Sequence, residues 1–384
     1  MLAGQRNKMS EKQILVLNTG SSSLKLGVFD WDSQNQLDSK ETDWGQGEQT
    51  VQNHTDALQQ LAGQVQLGNL AAIGHRVVHG GSKYTQAVQI DEAVKASIKE
   101  LVPLAPLHNP IALEVIEAAQ QQWPQVPQVA AFDTAFHSTL APVNYLYALP
   151  YDWYKRWGVR RFGFHGLSHE YCAKRAAELL QHPATPLKIV TCHLGNGCSL
   201  AAIVNGQSVA TTMGFTPLEG LMMGSRSGSV DPGLLLYLLE HNFISRAAMD
   251  DALNHASGLK GVSGVGSDMR EVQTAMSEGN QQATLAFEMY VARVREHIGA
   301  MVAALAGLDV LVFAGGVGEH SAQVRTAVCH QLGWLGVEVD STANASAKSD
   351  TDIATSTSKV RVLVIHTREE LMVARQTRQV LGNG

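Results

Sequence analysis

The sequence predicts an α/β protein built from two similar domains, and three observations carry this prediction. Short apolar runs such as ILVLN and VLVFAGG alternate with longer helical patterns, which is typical of α/β layers. The length of 384 residues exceeds that of one typical domain. A strand–turn–strand pattern near the N-terminus also recurs later in the chain, which indicates a duplication.

Composition and charge narrow the class of protein. Hydrophobic residues make up 45% of the chain and charged residues 17%, as expected for a globular protein with sizeable cores. The net charge of −6 argues against nucleic acid as the main partner. No apolar run reaches the ~18 residues of a membrane span, and residues 1–12 lack the apolar segment of a signal peptide. We therefore expect a cytoplasmic protein with a disordered extension at 1–12, in which Met9 offers an alternative start.

The cysteines support the same compartment. The chain has four of them, Cys172, Cys192, Cys198 and Cys329, too few for a disulfide framework and consistent with reduced thiols. A zinc site built on Cys192, His193 and Cys198 is disfavoured, because the first two are neighbours on one predicted strand.

The stretch LNTGSSSLKLG, residues 17–27, joins two predicted strands. An apolar run precedes it, and Leu24, Leu26 and Val28 then recur with the period of two that marks a strand. It is not a P-loop, which reads GxxxxGK[ST] and joins a strand to a helix. Its backbone N–H groups, its hydroxyls and Lys25 can cradle phosphate, while an ordinary serine-rich turn is the alternative interpretation.

The second copy of this pattern is IVTCHLGNGCSLAAIVNG, residues 189–206. An apolar strand again enters a glycine-rich polar turn, and a second strand follows at once. Two matched hairpins predict that each domain offers one phosphate-binding loop to a shared cleft. A third glycine turn, FAGGVGEHS, follows a strand and leads to a helical pattern, where close backbone approach favours an anion or a nucleotide. A simple strand–helix connection with positive φ is the alternative there.

Charged residues at strand ends and in polar turns are candidates for chemistry. Arg76 in GHRVVHGG and Arg226 in GSRSGSVDPG suit a carboxylate or a phosphate, although a lone loop arginine is usually a solvated charge. Asp133 ends an apolar run, where it either caps a turn or serves a site. His165 in RRFGFHGLSHEY is a candidate donor, and a buried structural histidine is an equal alternative for His169.

The segment HTREELMVAR predicts the start of the last helix. Thr367 and Glu370 have the spacing of a capping box, which accounts for Glu370 and leaves Glu369 unassigned. A carboxylate there either complements the helix dipole or holds Mg²⁺, which prefers one or two carboxylates together with phosphates and water.

Taken together, these motifs resemble the acetate kinase family from about residue 13 to the C-terminus. The resemblance is carried by LNTGSSSLK, GHRVVHGG, APLHNP, FDTAFH, RRFGFHGLSHEY, HLGNG, GSRSG and AGGVGEHS. It implies the fold of the actin, Hsp70 and sugar-kinase superfamily, in which two ribonuclease H-like ATPase domains face a central cleft. It also implies a first domain at 13–165 with 370–384, and a second, nucleotide-binding domain at 166–369.

The resemblance implies an activity as well. The family transfers a phosphoryl group reversibly from ATP to acetate, giving acetyl phosphate and ADP, with Mg²⁺ or alternatively Mn²⁺. Its members are usually homodimers, so we expect ATP, acetate and a second copy as partners, with no nucleic acid and no membrane. A propionate kinase on the same scaffold is the nearer alternative, and a non-catalytic actin-like ATP-binding module is the more distant one.

Matched position by position, the resemblance assigns roles in the reaction to residues of this chain. The catalytic residues are Asp133, His165 and Arg226. Arg76 is the residue expected to bind the carboxylate of acetate. The methyl group is expected in a pocket lined by Val78, Leu107, Phe164 and Pro217. Val78 stands two residues after Arg76, so on a strand both would point to one face.

The resemblance also assigns the metal and the nucleotide. Mg²⁺ falls to Asn18 and Glu369, and the ATP phosphates to Lys25. The other nucleotide contacts are His193, Leu194, Gly195, Asn196, Gly197, Asp268, Met269, Arg270, Gly316, Val317, Gly318, Glu319 and His320. Five positions depart from the commoner family pattern without removing a catalytic group, and these are Leu167, Ser225, Ser229, His320 and Arg368. Ser229 and His320 bear on nucleotide affinity and on the support of the active-site loop.

Overall fold

The computed structural model describes residues 12–20, 23–43, 54–106, 108–181 and 187–382. The predicted disordered extension lies outside these residues, except for Lys12, which begins the first strand. The chain divides into two compact units. The first runs up to Ala135 and resumes at Arg368, and the second spans Phe136–Thr367. Each unit consists of a mixed sheet and helices, so the predicted α/β class is confirmed.

The elements up to residue 135 belong to the first unit. Its strands are β1 (Lys12–Thr19), β2 (Ser23–Asp30), β3 (Gln36–Asp43), β4 (Asn69–Val77), β5 (Val88–Gln89) and β6 (Gln128–Phe132). Its helices in this part of the chain are α1 (His54–Ala62), α2 (Glu92–Glu100) and α3 (Asn109–Gln122). Short 3-10 turns occur at Val102–Leu104 and, across the boundary, at Ala135–Thr139.

The second unit is richer in helix. Its strands are β7 (Lys188–Leu194), β8 (Cys198–Val204), β9 (Gln207–Thr211), β10 (Val310–Ala314), β11 (Thr351–Asp352) and β12 (Arg361–Val364). Its helices are α4 (Pro142–Tyr145), α5 (Tyr151–Trp157), α6 (Gly166–Leu179), α7 (Pro232–Glu240), α8 (Arg246–His255), α9 (Gly258–Ser263), α10 (Met269–Ser277), α11 (Gln281–Leu305), α12 (Gly315–His320), α13 (Ala322–Cys329) and α14 (Ser341–Ala345). A 3-10 turn occurs at Gly333–Leu335. The chain then returns to the first unit in α15 (Glu369–Gly382).

The two sheets share one topology. Their strand orders are β3-β2-β1-β4-β6-β5 and β9-β8-β7-β10-β12-β11. In the first sheet, β1 pairs antiparallel with β2 and parallel with β4, and β6 carries the short antiparallel strand β5. In the second sheet, β7 pairs in the same way with β8 and β10, and β12 carries β11. This equivalence confirms the duplication that the repeated hairpin predicted.

Helix α15 lies unusually close to the first sheet because of a glycine. A Cβ added at Gly74 in β4 would lie 2.3 Å from Thr377 Oγ1 and 2.8 Å from Val373 Cγ1, distances that no real side chain tolerates. The central strands are fully buried on both faces, as their unbroken apolar runs require. The close approach brings Glu369, the first residue of α15, to the carboxyl end of β4.

The core of the second unit forms between its sheet and α11. This helix buries apolar residues at a spacing of three or four, and Tyr290 among them places its hydroxyl 3.3 Å from Cys198 Sγ in β8. All four cysteines are buried thiols. Within the described ranges, no helix combines the length and the apolar character that a membrane crossing needs.

The predicted domain boundary at 165 differs from the observed division. Hydrogen bonds tie residues 136–165 to the second unit, where His137 Nδ1 lies 2.8 Å from Ser208 Oγ and Thr139 Oγ1 donates to Ser208 O at 2.7 Å. Arg161 Nη1 likewise donates to Thr212 O at 2.9 Å. Contacts with β9 therefore hold this segment, and the repeated sequence pattern, which begins only at β7, could not reveal them.

The buried histidine of β4 makes the stability of the first unit depend on pH. His75 Nε2 lies 2.7 Å from Gln128 Oε1, and burial lowers the pKa of His75 from 6.5 to about 4. The unfolded chain takes up a proton below pH 6.5 and the folded one does not until about pH 4, so stability is complete above 6.5 and is lost as pH falls. We expect His75→Asn to flatten this dependence by roughly 1 kcal/mol per pH unit, measured by thermal unfolding between neutral pH and pH ~5. Equal slopes in the two proteins would contradict this assignment.

Candidate active site

A charged cluster forms where β4 and β6 of the first unit end. Arg76 is the penultimate residue of β4, and its Nη2 donates to Oδ2 of Asp133, which directly follows β6, at 2.7 Å. Arg76 Nε lies 3.7 Å from Glu369 Oε2. Arg76 Nη1 lies 3.5 Å from Oδ1 of Asn18 in β1. The structure therefore brings together four residues that the sequence assigned separately to acetate, catalysis and metal.

The electrostatics of the cluster are dominated by its acids. Burial by itself would lower the pKa of Arg76, but Asp133, Glu369 and Glu370 outweigh burial and raise it. Burial raises the pKa of Glu369 to about 7; Arg76 opposes this shift, and the two neighbouring carboxylates add to it. Three carboxylates thus outnumber the two cations that act on them, the guanidinium of Arg76 and the ammonium of Lys25.

Glu370 has a different role from the predicted one. Helix α15 begins at Glu369, so Glu370 is its second residue and not the third, as a capping box requires. Its Oε1 accepts a hydrogen bond from Asn18 Nδ2 at 2.8 Å, while Thr367 Oγ1 donates to Ser168 Oγ at 3.0 Å. The predicted capping box is therefore wrong, because both of its members bond to residues far away in the sequence.

The oxygen atoms of this cluster fit a divalent cation. Carboxylates and an amide oxygen are the hard ligands that Mg²⁺ prefers, and a cation would offset both the burial of Glu369 and the repulsion from Asp133 and Glu370, which raise its pKa. Among the described residues, no three His, Cys, Asp or Glu side chains are arranged to enclose a metal by themselves. Asn18 and Glu369 would therefore hold the ion together with phosphate and water.

The remaining predicted residues of the first unit are less constrained. Lys25 pairs with Asn18 across the β1–β2 hairpin, and its half-exposed ammonium lies 3.7 Å from Glu41 Oε1. Val78 is buried, but it lies one residue beyond the end of β4, so the argument that it shares a strand face with Arg76 does not hold. Leu107 lies outside the described residues.

The second unit contains a pocket of about 520 Å³ beside its glycine turns. It is lined by Gly195, Asn196, Ser267, Asp268, Met269, Arg270, Gln273, Gly316, Val317, His320 and Ser321. The turn between β7 and β8 is closed by Gly195 N donating to Gly197 O at 3.0 Å. Asp268 caps α10 and pairs with Arg270 at 2.6 Å, and this pairing lowers the pKa of Asp268.

The pocket separates the predicted nucleotide residues into two groups. Eight of them line it, whereas His193, Leu194, Gly197, Gly318 and Glu319 do not. The Glu319 carboxylate accepts from Gly315 N at 3.1 Å and from Thr367 N at 3.2 Å, and it pairs with His366 at 2.7 Å. Its contacts therefore hold the glycine turn of α12 in place. His320, one of the departures from the family pattern, lies on the pocket wall.

A backbone hydrogen bond connects the loop that carries Arg226 to the turn between β7 and β8. Gly224 N donates to Asn196 O at 3.0 Å, and Ser229 closes the loop through Gly220, with N–H···O and N–H···Oγ bonds of 2.9 and 3.0 Å. Ser229 thus helps to close this loop with both its backbone N–H and its hydroxyl. Arg226 Nη1 donates to Pro217 O at 2.9 Å. Burial lowers the pKa of Arg226, and none of the described acidic side chains acts on it, so its charge is available to an anion.

His165 stands beside Arg226 in a conformation that few residues adopt. Its φ of 55° and ψ of 28° are left-handed, at the N-terminus of α6. A Cβ added at Gly197 would lie 3.5 Å from His165 Nε2 and 3.7 Å from Arg226 Nη1. Both side chains therefore border the turn between β7 and β8. Phe164 is buried, and its carbonyl lies 3.0 Å from His137 Nε2.

Sequence reasoning missed two kinds of residue at these sites. Ser267 and Gln273 line the pocket but belong to no quoted motif, and Ser321, the last residue of FAGGVGEHS, was given no nucleotide role. Ser199 and Thr191 contact the histidines of the site from inside β8 and β7. A signal for these two was present, because they are polar residues in strands that are otherwise apolar. Of the other departures, Leu167 is buried and Arg368 is exposed.

Comparison with known proteins identifies the class. The profile of the acetokinase family matches residues 13–375. An acetate kinase of Rippkaea orientalis is 46% identical over 95% of this chain and 98% of its own length. The crystal structure of Porphyromonas gingivalis acetate kinase is 39% identical, with a TM-score of 0.87, over 96% of this chain and all of the other. A propionate kinase of Francisella tularensis has a TM-score of 0.88 at 36% identity, over 96% of this chain and all of its own.

These matches define an enzyme of the kinase class. More particularly, the chain belongs to the acetokinase family. The family resemblance inferred from the motifs is thereby confirmed. The roles of individual residues stay predictions.

The two arginines should differ in what they stabilise. Arg76→Ala leaves Asp133 buried without its guanidinium, so we expect a loss of ~3 kcal/mol in the free energy of unfolding, together with a higher KM for acetate. Arg226→Ala leaves no ion pair broken among the described residues of the second unit, so the free energy of unfolding should change little, while kcat should fall by at least ~10²-fold. Denaturant titration and steady-state kinetics on both variants test this contrast. Two variants with equal stability losses would refute it.

Proposed function

We propose that this protein transfers the γ-phosphoryl group of ATP to acetate, reversibly and in one in-line step, giving acetyl phosphate and ADP. The observation that carries the proposal is the cluster of Arg76, Asp133 and Glu369, in which a guanidinium and surplus carboxylates stand together. Such a cluster suits a carboxylate substrate and a metal ion at once. Arg76 Nε is buried, has no hydrogen-bond partner among the described residues and lies 3.7 Å from Glu369 Oε2.

The chemistry explains why the candidate residues are cationic. Acetate is already an anion, so no base has to remove a proton before it attacks phosphorus. The protein must instead align two anions and neutralise the charge that builds up between them. Arg76 would bind the carboxylate, and Arg226 and His165 would act at the reacting phosphoryl group. Mg²⁺, or alternatively Mn²⁺, would supply further positive charge when bound at Asn18 and Glu369.

The nucleotide is proposed to occupy the pocket of the second unit. The pocket's glycine positions, Gly195 and Gly316, permit close backbone approach to phosphates, and its volume of about 520 Å³ suits a nucleotide-sized ligand. Buried thiols favour a reducing compartment, so we place the reaction in the cytoplasm. A coupled assay for ADP formation, with acetate and with or without Mg²⁺, tests the activity. ATP binding without acetate-dependent turnover would favour the non-catalytic module.

The choice of acid is the next prediction. The resemblance places Val78, Leu107, Phe164 and Pro217 around the methyl group, and the branched side chain of Val78 should limit the depth of the pocket. Since one methylene is worth ~1–3 kcal/mol, we expect acetate to exceed propionate by roughly ten-fold in kcat/KM, with butyrate poorer still. Val78→Ala should narrow the gap. The propionate kinase among the structural neighbours makes propionate the informative competitor. A wild type that prefers propionate would overturn this specificity.

A homodimer is part of the proposal, and α7 is the surface proposed for it. Apolar residues cover every side of this helix, yet none of its residues is buried. Leu234, Leu236 and Tyr237 are each about half exposed. A helix that is apolar all round is normally enclosed, and a second copy of the chain would enclose it.

Leu236→Glu should therefore disrupt the dimer. A charge in a buried apolar contact is costly, so the variant should elute as a monomer of 41.3 kDa and the wild type at twice that mass in size-exclusion chromatography with light scattering. Leu285→Glu is the matched control, because Leu285 is equally exposed but lies on α11. A monomeric wild type, or a control that dissociates equally, would rule out this surface.

A further inference from the structure

Two histidines of the second unit stack beside the turn between β7 and β8. The ring centroids of His165 and His193 are 4.2 Å apart. A Cβ added at Gly197 would lie 3.5 Å from His165 Nε2, and one added at Gly195 would lie 4.0 Å from His193 Nε2. The Nε2 edges of both rings therefore lie near the glycine positions of this turn.

A chain of hydrogen bonds runs behind His165. Its Nδ1 lies 2.8 Å from Ser199 Oγ, and the same oxygen lies 2.8 Å from Nε2 of His169. His169 Nδ1 in turn lies 2.7 Å from Thr191 Oγ1. Ser199 and His169 are 0% exposed and Thr191 is 1% exposed, so water does not compete for these bonds.

The protons of such a chain can point in either direction, and Thr191 decides between the two. Its hydroxyl has two acceptors within reach, His169 Nδ1 at 2.7 Å and Ala201 O at 3.5 Å. An O–H···O distance of 3.5 Å is far beyond the usual 2.5–3.0 Å, so that bond is weak. The hydroxyl therefore donates to His169 Nδ1.

The directions of the other hydrogen bonds follow from this first one. His169 is neutral, because burial and the nearby His137 and His193 hold its pKa well below the usual value. Since its Nδ1 accepts, its one proton sits on Nε2 and is donated to Ser199 Oγ. Ser199 then donates its own proton to His165 Nδ1. The ring proton of a neutral His165 is therefore left on Nε2.

A shorter chain acts on His193 in the same way. Thr367 Oγ1 donates to Ser168 Oγ at 3.0 Å, and Ser168 Oγ lies 2.8 Å from His193 Nδ1. A hydroxyl that accepts one proton has its own to give, so Ser168 donates to Nδ1, and His193 also carries its proton on Nε2. Two neutral rings stack without the repulsion that two imidazolium ions would suffer.

We propose that Thr191, His169 and Ser199 are positioning residues that hold His165 as a neutral imidazole with its proton on Nε2. The purpose of this arrangement, though not its geometry, rests on the proposed phosphoryl transfer. The Nε2–H group of His165 is a hydrogen-bond donor that can stabilise anionic oxygens without giving up its proton. In the opposite direction of the chain, Nε2 would present a lone pair to the same oxygens and repel them.

The tautomer can be measured directly on the full-length protein. With ¹⁵N-labelled histidine, long-range ¹H–¹⁵N correlation spectra distinguish a protonated ring nitrogen from an unprotonated one, and His165→Gln identifies the signals of His165. We expect the wild type at neutral pH to show an unprotonated Nδ1 and a protonated Nε2 on His165. A wild type with the proton on Nδ1, or with both nitrogens protonated, would overturn the proposal without any variant.

The variants test the chain behind the ring. Thr191→Val keeps the shape of the side chain but removes its hydroxyl, so it should shift His165 toward the Nδ1–H tautomer and lower kcat by roughly 10-fold, less than the ~10²–10³ lost with a direct donor. KM should stay within about two-fold, since uniform binding is not changed. Thr191→Ser should restore both kcat and the tautomer.

A matched control separates this role from simple destabilisation. Thr211→Val also removes a buried hydroxyl from the same sheet, one that donates to Leu200 O at 2.9 Å and takes no part in the chain. It should leave the tautomer and kcat unchanged. An unchanged tautomer in Thr191→Val, or an equal shift in Thr211→Val, would refute the proposal. A protein with the expected tautomer but no acetate-dependent turnover would refute the proposed function and leave the positioning role standing.

Discussion

The buried ion pair between Arg76 and Asp133 joins the ends of two parallel strands, and the charged cluster of the first unit is arranged around it. Asp133 is almost wholly buried, so its charge requires the guanidinium beside it. A buried pair of this kind adds little net stability compared with apolar residues of the same size. Its presence is better explained by the chemistry of the surrounding groups, because Asn18 and Glu369 contact the same guanidinium. Gly74 makes this possible by letting α15 approach the sheet.

The duplicated topology separates scaffold from chemistry. Both sheets have the same strand order and directions, yet the equivalent hairpins carry different residues. The first hairpin presents Asn18 and Lys25, which suit a cation and phosphates. The second presents His193 and a turn closed between Gly195 and Gly197. One backbone plan thus provides two polar hairpins, which differ in their side chains.

Local patterns of apolar and glycine residues predicted the hairpins and the α/β class, and the resemblance of whole motifs predicted the family. Features that depend on distant contacts were predicted poorly. The partner of Glu370 is Asn18, 352 positions away, so the local spacing of Thr367 and Glu370 wrongly indicated a capping box. Residues 136–165 joined the second unit through hydrogen bonds to β9, which no period reveals. The roles of Thr191 and Ser199 depend on which histidine nitrogen each hydroxyl meets, a property of three-dimensional geometry.

The discontinuity of the first unit has a consequence for biosynthesis. The second unit is one uninterrupted segment, whereas the first is completed only by α15, which follows the second unit in the chain. Domains generally fold as units while the chain emerges from the ribosome. The second unit can therefore fold before the first is complete, because α15, which packs on β1 and β4, is synthesised last. Because α15 also brings Glu369 to Arg76, the glycine-lined pocket of the second unit can form before the charged cluster of the first.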